Sequence, residues 1–273
     1  MTMSSHSMRA LVTLLCTALA TAACVRDGPE QAPAPPPPAG WPGELPDFSF
    51  TWTAEPGVDL TTDSAAIATR AYVESYFLAV ITENADYLYP GFDEAVAPDQ
   101  PGGAPGTREL RPRIGDSEPD IYIGTVRHHV LNITRSDLVV TLTGCAYTYG
   151  SAIRGPDGTY SAIVGDALAP GPGIYPMRIG LKAPQGTQPK LPPQQGPSKA
   201  PHNNVFAGWT VTSQEGGYLS TSRWADYERD RATCIDKAGG TPASKRIYPH
   251  VPSPANEFPT LPPSPGWPEA PTQ

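Results

Sequence analysis

Few residues of this 273-residue chain are spaced for chemistry, and the adjacent histidines of Val126-Arg127-His128-His129-Val130 come first among them. An imidazole near neutral pH can act as a general base or bind a metal. If the segment is a strand, successive side chains point to opposite faces, so the two rings cannot share one ion. His128 falls with Val126 and Val130, which turns it inward. As a base it would need a carboxylate beside it, such as Asp86 or Asp93; a core histidine satisfied by a hydrogen bond is the plainer expectation. Asp116, Glu118 and Asp120 alternate like calcium ligands. They lack the glycine and closing glutamate of a calcium loop, and Pro119 interrupts them, so a solvated acidic loop is expected. No glycine-rich phosphate loop, nucleophile elbow or paired-cysteine zinc spacing occurs. The sequence therefore assigns no catalytic residue, no metal ligand and no cofactor. Tyr72, Tyr76, His128 and Trp209, with Tyr218, are candidate lining for an apolar pocket, against the alternative that they are plain core.

The four cysteines carry more information. Arg9 precedes an apolar run, Ala10 to Ala20, of signal-peptide length and too short to span a bilayer, whether translation starts at Met1, Met3 or Met8. The run ends in Thr21-Ala22-Ala23-Cys24, which resembles the lipobox of bacterial lipoproteins; the departure is Thr21, where that family usually carries an aliphatic residue. The resemblance implies a signal peptide over residues 1–23, a diacylated Cys24 and a place at the extracytoplasmic face of the cell membrane. Ordinary secretion with cleavage after Ala20-Thr21-Ala22 is the alternative. Export sets an oxidising compartment, and with Cys16 removed and Cys24 acylated, Cys145 and Cys234 remain to form a disulfide.

These residues need a scaffold, and proline delimits it. Of 35 prolines, 28 fall in residues 26–46, 98–119, 184–201 and 249–273, stretches too proline-rich for regular structure. The expected organisation is a tether over 24–46, one domain over 47–248 with proline-rich loops at 98–119 and 184–203, and a disordered tail over 249–273. The net charge is −8 and no basic stripe exists, which argues against nucleic acid as a partner.

Within the domain, Val126 to Gly150 reads as a hairpin, two β-branched runs separated by Thr134-Arg135-Ser136-Asp137, with long strands expected from Ile121 to Ile133 and from Leu138 to about Ile153. In the second run Leu138, Val140, Leu142, Gly144 and Ala146 share one face, and Val139, Thr141, Thr143, Cys145 and Tyr147 the other. Phe48, Phe50 and Trp52 alternate in a short strand or strap. A helix is expected from Asp63 to about Tyr89, capped by Asp63 and ended by Pro90-Gly91. Further strands are expected at TYSAIVG, at GIYPMRIGLKA with Pro176 at an edge or bulge, and at NVFAGWTVT, followed by a short helix from Ser222 to about Ala238. This element order, with the aromatic helix AYVESYFLAVITENADYLYPGF, resembles the nuclear-transport-factor-2-like (cystatin-like) superfamily. It implies an α+β fold: a long N-terminal helix against a curved four- to five-stranded antiparallel sheet, a short C-terminal helix and disordered proline-rich tails. The whole chain also resembles actinobacterial secreted lipoproteins of unassigned function. Three functions follow as expectations: an envelope binding or interaction module partnered with another envelope protein, a carrier of an apolar ligand or lipid, and a pocket enzyme with His128 as base.

Overall fold

The computed structural model describes residues 40–115, 117–165, 171–186, 190–218, 220–239 and 253–271. Cys24, the expected signal peptide and most of the expected tether lie outside them. The scaffold is one seven-stranded sheet: β1 (Phe48–Ala54), β2 (Tyr122–Ser136), β3 (Val139–Tyr147), β4 (Ser151–Arg154), β5 (Tyr160–Ala162), β6 (Ile174–Lys182) and β7 (Thr210–Gly216). The order along the main path is β5-β4-β2-β3-β6-β7, and β1 joins off this path by pairing parallel to β2. All other neighbours are antiparallel. One edge of β2 is shared. β4 takes residues Tyr122 to Gly124, and β1 takes Gly124 to Val130. Gly124 sits at the handover with φ +89°, where an added Cβ would lie 2.3 Å from the Gly150 carbonyl oxygen, so only glycine fits.

The fold thus differs from the expected long helix against four or five strands. The second expected strand is broken by Thr148-Tyr149-Gly150: the Ser151 hydroxyl and amide donate to the Thr148 carbonyl in a tight turn, making two strands of one. A short apolar run does not reveal such a turn, because its signal lies in side-chain-to-backbone bonds. The DFSFTWTA segment is a full sheet member. Pro176, expected at an edge or bulge, lies in β6 between β3 and β7. In an antiparallel strand a residue's N and carbonyl point to the same side; Pro176 accepts from Gly217 N just past the end of β7, so its missing N–H faces no partner strand.

Helix α1 (Ser64–Ile81) is shorter than expected. Asp63 caps it, accepting from the Ala65 and Ala66 amides at 3.0 and 3.4 Å. It ends at Ile81, because Thr82 folds its hydroxyl back onto the Leu78 carbonyl and Glu83 takes a positive φ of 48°. Asn84 then caps a separate 3₁₀ turn, Ala85–Tyr87, and a four-residue helix, α2 (Phe92–Ala95), follows. Nearly every side of α1 is buried, including Arg70 and Glu74, as expected of a helix enclosed by its neighbours.

The two faces of β3 serve two layers. Val140 and Leu142 pack on the α1 side, while Cys145 and Tyr147 pack beneath α3 (Tyr227–Lys237). Cys145 and Cys234 are disulfide-bonded. Tyr147 donates its hydroxyl to the Cys234 carbonyl at 3.1 Å, and Tyr149 donates to the Ala238 carbonyl at 2.6 Å.

Both proline-rich flanks also depart from expectation. Trp41 and Leu45, placed in the tether by composition, are buried in the core. The Lys199 ammonium holds the Pro46 and Phe48 carbonyls at 2.6 and 2.9 Å. At the other end residues 253–271 are ordered, against the expected disordered tail. Ser253 bridges to Tyr160 of β5, and Ser264 bridges to Thr51 of β1. Trp267 pairs with Ser198 and is fully enclosed. Proline excludes this segment from regular elements but not from a core, and two large aromatics, Phe258 and Trp267, anchor it.

Candidate functional site

The space between α1 and the sheet is where a pocket would lie. It is bordered by Val73, Tyr76 and Phe77 of α1, Val126 and His128 of β2, Ala146 of β3, Met177 and Ile179 of β6, and Gln214 of β7. The cavity left among them is about 30 Å³, room for about one water rather than an organic ligand.

Tyr76 and His128 border this space. Tyr72 and Trp209 do not. Tyr72 is buried one turn away and donates its hydroxyl to the Leu110 carbonyl at 3.0 Å and to Gln214 Oε1. Trp209 donates its indole N–H to the Ser64 hydroxyl at 3.0 Å, at the start of α1. Tyr218, the fifth aromatic named from sequence, does border the cavity.

His128 is buried, and its ring stacks on Trp52 with centroids 4.2 Å apart. Its Nδ1 has no hydrogen-bond partner among the described residues. The carboxylates considered as its partner are elsewhere: Asp86 is exposed on the 3₁₀ turn, and Asp93 pairs with Arg111 at 2.6 Å on the surface. Burial alone pushes the His128 pKa down to about 3. A base with that value is a poor proton acceptor at neutral pH. Among the described residues no group of three or more His, Cys, Asp or Glu side chains could hold a metal ion.

The low pKa of His128 has a stability consequence. An unfolded histidine takes up its proton near pH 6.5 and the folded ring does so only near 3, so the contribution is full above pH 6.5 and is lost as pH falls through that window. At pH 5 the loss is about 2 kcal/mol. His128→Asn will flatten the decline of unfolding free energy between pH 6.5 and 4.5, measured by urea titration. Parallel curves for the two proteins would refute the assignment.

A second buried polar cluster lies at the indole N–H of Trp52, and nothing in the sequence spacing announced it. Glu74, one turn beyond Arg70 on α1, accepts from three donors: Trp52 Nε1 at 2.7 Å, Tyr89 hydroxyl at 3.0 Å and Trp267 Nε1 at 2.7 Å. Arg70 lies 4.3 Å over the Trp267 ring and donates to the Leu60, Gln194 and Gly266 carbonyls. Burial raises the Glu74 pKa, with Arg70 and the three donors pulling the other way. The i, i+4 spacing of Arg70 and Glu74 resembles any surface pair on a helix; only the tail's arrival makes it interior. The cluster works as a clamp on residues 264–267.

Comparison with protein-family models, with curated proteins and with solved structures returns no match.

Proposed function

We propose that this chain is a lipid-anchored, extracytoplasmic binding or interaction module of the cell envelope, whose recognition uses its outer surface. The observation that carries this reading is the filled interior. About 30 Å³ between α1 and the sheet falls far short of the several hundred cubic ångströms of a small-molecule pocket. A carrier that encloses its lipid between α1 and the sheet needs such a pocket there, and an enzyme built on His128 needs a partnered base; that space supports neither. The anchoring half of the proposal rests on Thr21-Ala22-Ala23-Cys24 behind its apolar run.

Two acyl chains hold a protein durably on a bilayer where one does not. Cys24→Ala will therefore move the protein from the membrane fraction to the soluble fraction of its host; equal partitioning of the two would overturn the anchor. Native mass spectrometry of protein taken from its own envelope tests the module. A mass accounted for by the polypeptide and its N-terminal lipid fits the reading, and a stoichiometric second lipid released on denaturation would replace it with the carrier.

A further inference from the structure

The neighbour of the inert His128 faces the other side of the sheet and is wired differently. Parallel pairing of β1 with β2 puts Thr53 directly beside His129, and strand alternation returns Glu55 to the same face two residues on. Thr53 Oγ1 lies 2.8 Å from His129 Nδ1, and His129 Nε2 lies 2.9 Å from Glu55 Oε1. Thr53 is exposed, and the side chains of His129 and Glu55 are 15% and 29% exposed. On the next strand His129 pairs with Cys145, whose disulfide draws α3 over this face. Three residues beyond Cys234, Lys237 brings its ammonium 2.5 Å from Glu55 Oε1. The Lys237 ammonium, and after it His129, hold the Glu55 carboxyl below its ordinary range.

The proton positions follow from the chemistry. An ionised carboxylate only accepts, so Nε2 of His129 carries the hydrogen that bonds Glu55. With that tautomer Nδ1 of the neutral ring holds a lone pair, and the Thr53 hydroxyl 2.8 Å away can donate to it; the same hydroxyl can instead donate to the His128 carbonyl at 3.3 Å, the longer of the two contacts. Hydroxyl, imidazole and oriented carboxylate in one chain of hydrogen bonds is the arrangement that activates a nucleophile.

We infer that Thr53 is a base-activated nucleophile toward activated carboxylic esters, with His129 as its base and Glu55 as the positioning carboxylate. Thr53 Oγ1 forms a bond to the ester carbonyl carbon while its proton passes to His129 Nδ1. The bond to the leaving oxygen then breaks, and that oxygen departs as the alcohol with the proton from the imidazolium. The product is an acyl ester on Thr53, and no oxidant, metal or second reactant is required. The site lies on the opposite face of β2 from His128, so the inference is independent of the filled interior and of the lipid anchor.

The test uses the full chain and p-nitrophenyl acetate, with p-nitrophenolate release followed by absorbance and the adduct located by peptide mapping after an acid quench. One acetyl group on Thr53 is expected. Thr53→Val, close in shape and without the hydroxyl, will abolish that adduct, and Thr53→Ser will retain it. His129→Gln will slow Thr53 acetylation at least tenfold; should that variant fold poorly by circular dichroism, Glu55→Gln will slow it in the same direction. Acetyl groups confined to lysines or the N-terminus, an adduct on His129 that persists in Thr53→Val, or Thr53 labelling at the parent rate without its base would each overturn the inference.

Discussion

Replacing Trp267 with alanine will lower the unfolding free energy by roughly 3–5 kcal/mol, the range found when a large aromatic is removed from a core. The loss has three parts. The indole leaves a cavity beside Tyr89 and α1, since Trp267 has no exposed surface. Glu74 loses the donor at 2.7 Å on Oε2 and keeps only Tyr89 there. Arg70 loses the ring that its guanidinium covers, and a buried charge stripped of a partner is costly by itself. Trp267→Phe separates these contributions: it preserves most of the packing and the ring under Arg70 but not the indole N–H, and will cost about 1–3 kcal/mol, the range for an unsatisfied buried acceptor. Urea unfolding of the three proteins is the measurement. A Trp267→Ala midpoint indistinguishable from the parent would mean that residues 253–271 are not part of the folded core.

The second large effect concerns the bridge between β3 and α3. Cys145 and Cys234 are 89 positions apart, and closing a loop of that length in the unfolded chain corresponds to roughly 4–5 kcal/mol, an upper figure. Few contacts would replace it. Apart from Cys234 and the flanking Ala238, α3 buries mainly the polar Asp230, bonded by the Trp224 indole at 2.8 Å. The Cys145→Ala/Cys234→Ala protein will therefore lose several kcal/mol, and the amides of α3 will exchange with solvent faster than those of β3. Hydrogen exchange with and without reductant reads this directly. If α3 and β3 remain equally protected after reduction, the helix is held by other means.

The readable parts of the sequence were those in which side-chain period and local chemistry agree. The alternation through β3 correctly placed Val140 and Leu142 on one side and Cys145 on the other, because a strand's period of two leaves no second register compatible with that pattern. Asp63 was legible as a cap, because a side-chain oxygen three bonds from Cα is within reach of an orphaned helix amide. What stayed hidden depends on partners distant in sequence. Arg70 and Glu74 read as ordinary helix-surface charges until Trp267, 193 positions from Glu74, arrives to complete them. The neighbourhood of Thr53, Glu55 and His129 is equally non-local, since nothing in FSFTWTAE reveals a parallel pairing with β2 across more than 70 residues. Composition misled at both flanks, because proline counts report the absence of helices and strands and say nothing about a tryptophan between them.

The bridges at the sheet's margins have a bearing on how this protein behaves among copies of itself. Beside β7 the Val96 bridge and the Ala97 amide, 3.0 Å from the Val211 carbonyl, occupy main-chain positions that a foreign strand would otherwise use. Ser253 does the same beside β5, and Ser264 beside β1, where its carbonyl accepts from Trp52 N at 2.6 Å. Unoccupied strand margins are templates for self-association. Trimming the chain at residue 252, a cut that its proline content invites, would strip two of these guards at once and leave β1 and β5 free to recruit strands from other molecules. The shortened protein, which also loses Phe258 and Trp267 from its core, will then be lost to precipitate during expression, and preparations intended for crystallisation or immunisation need residues 253–273.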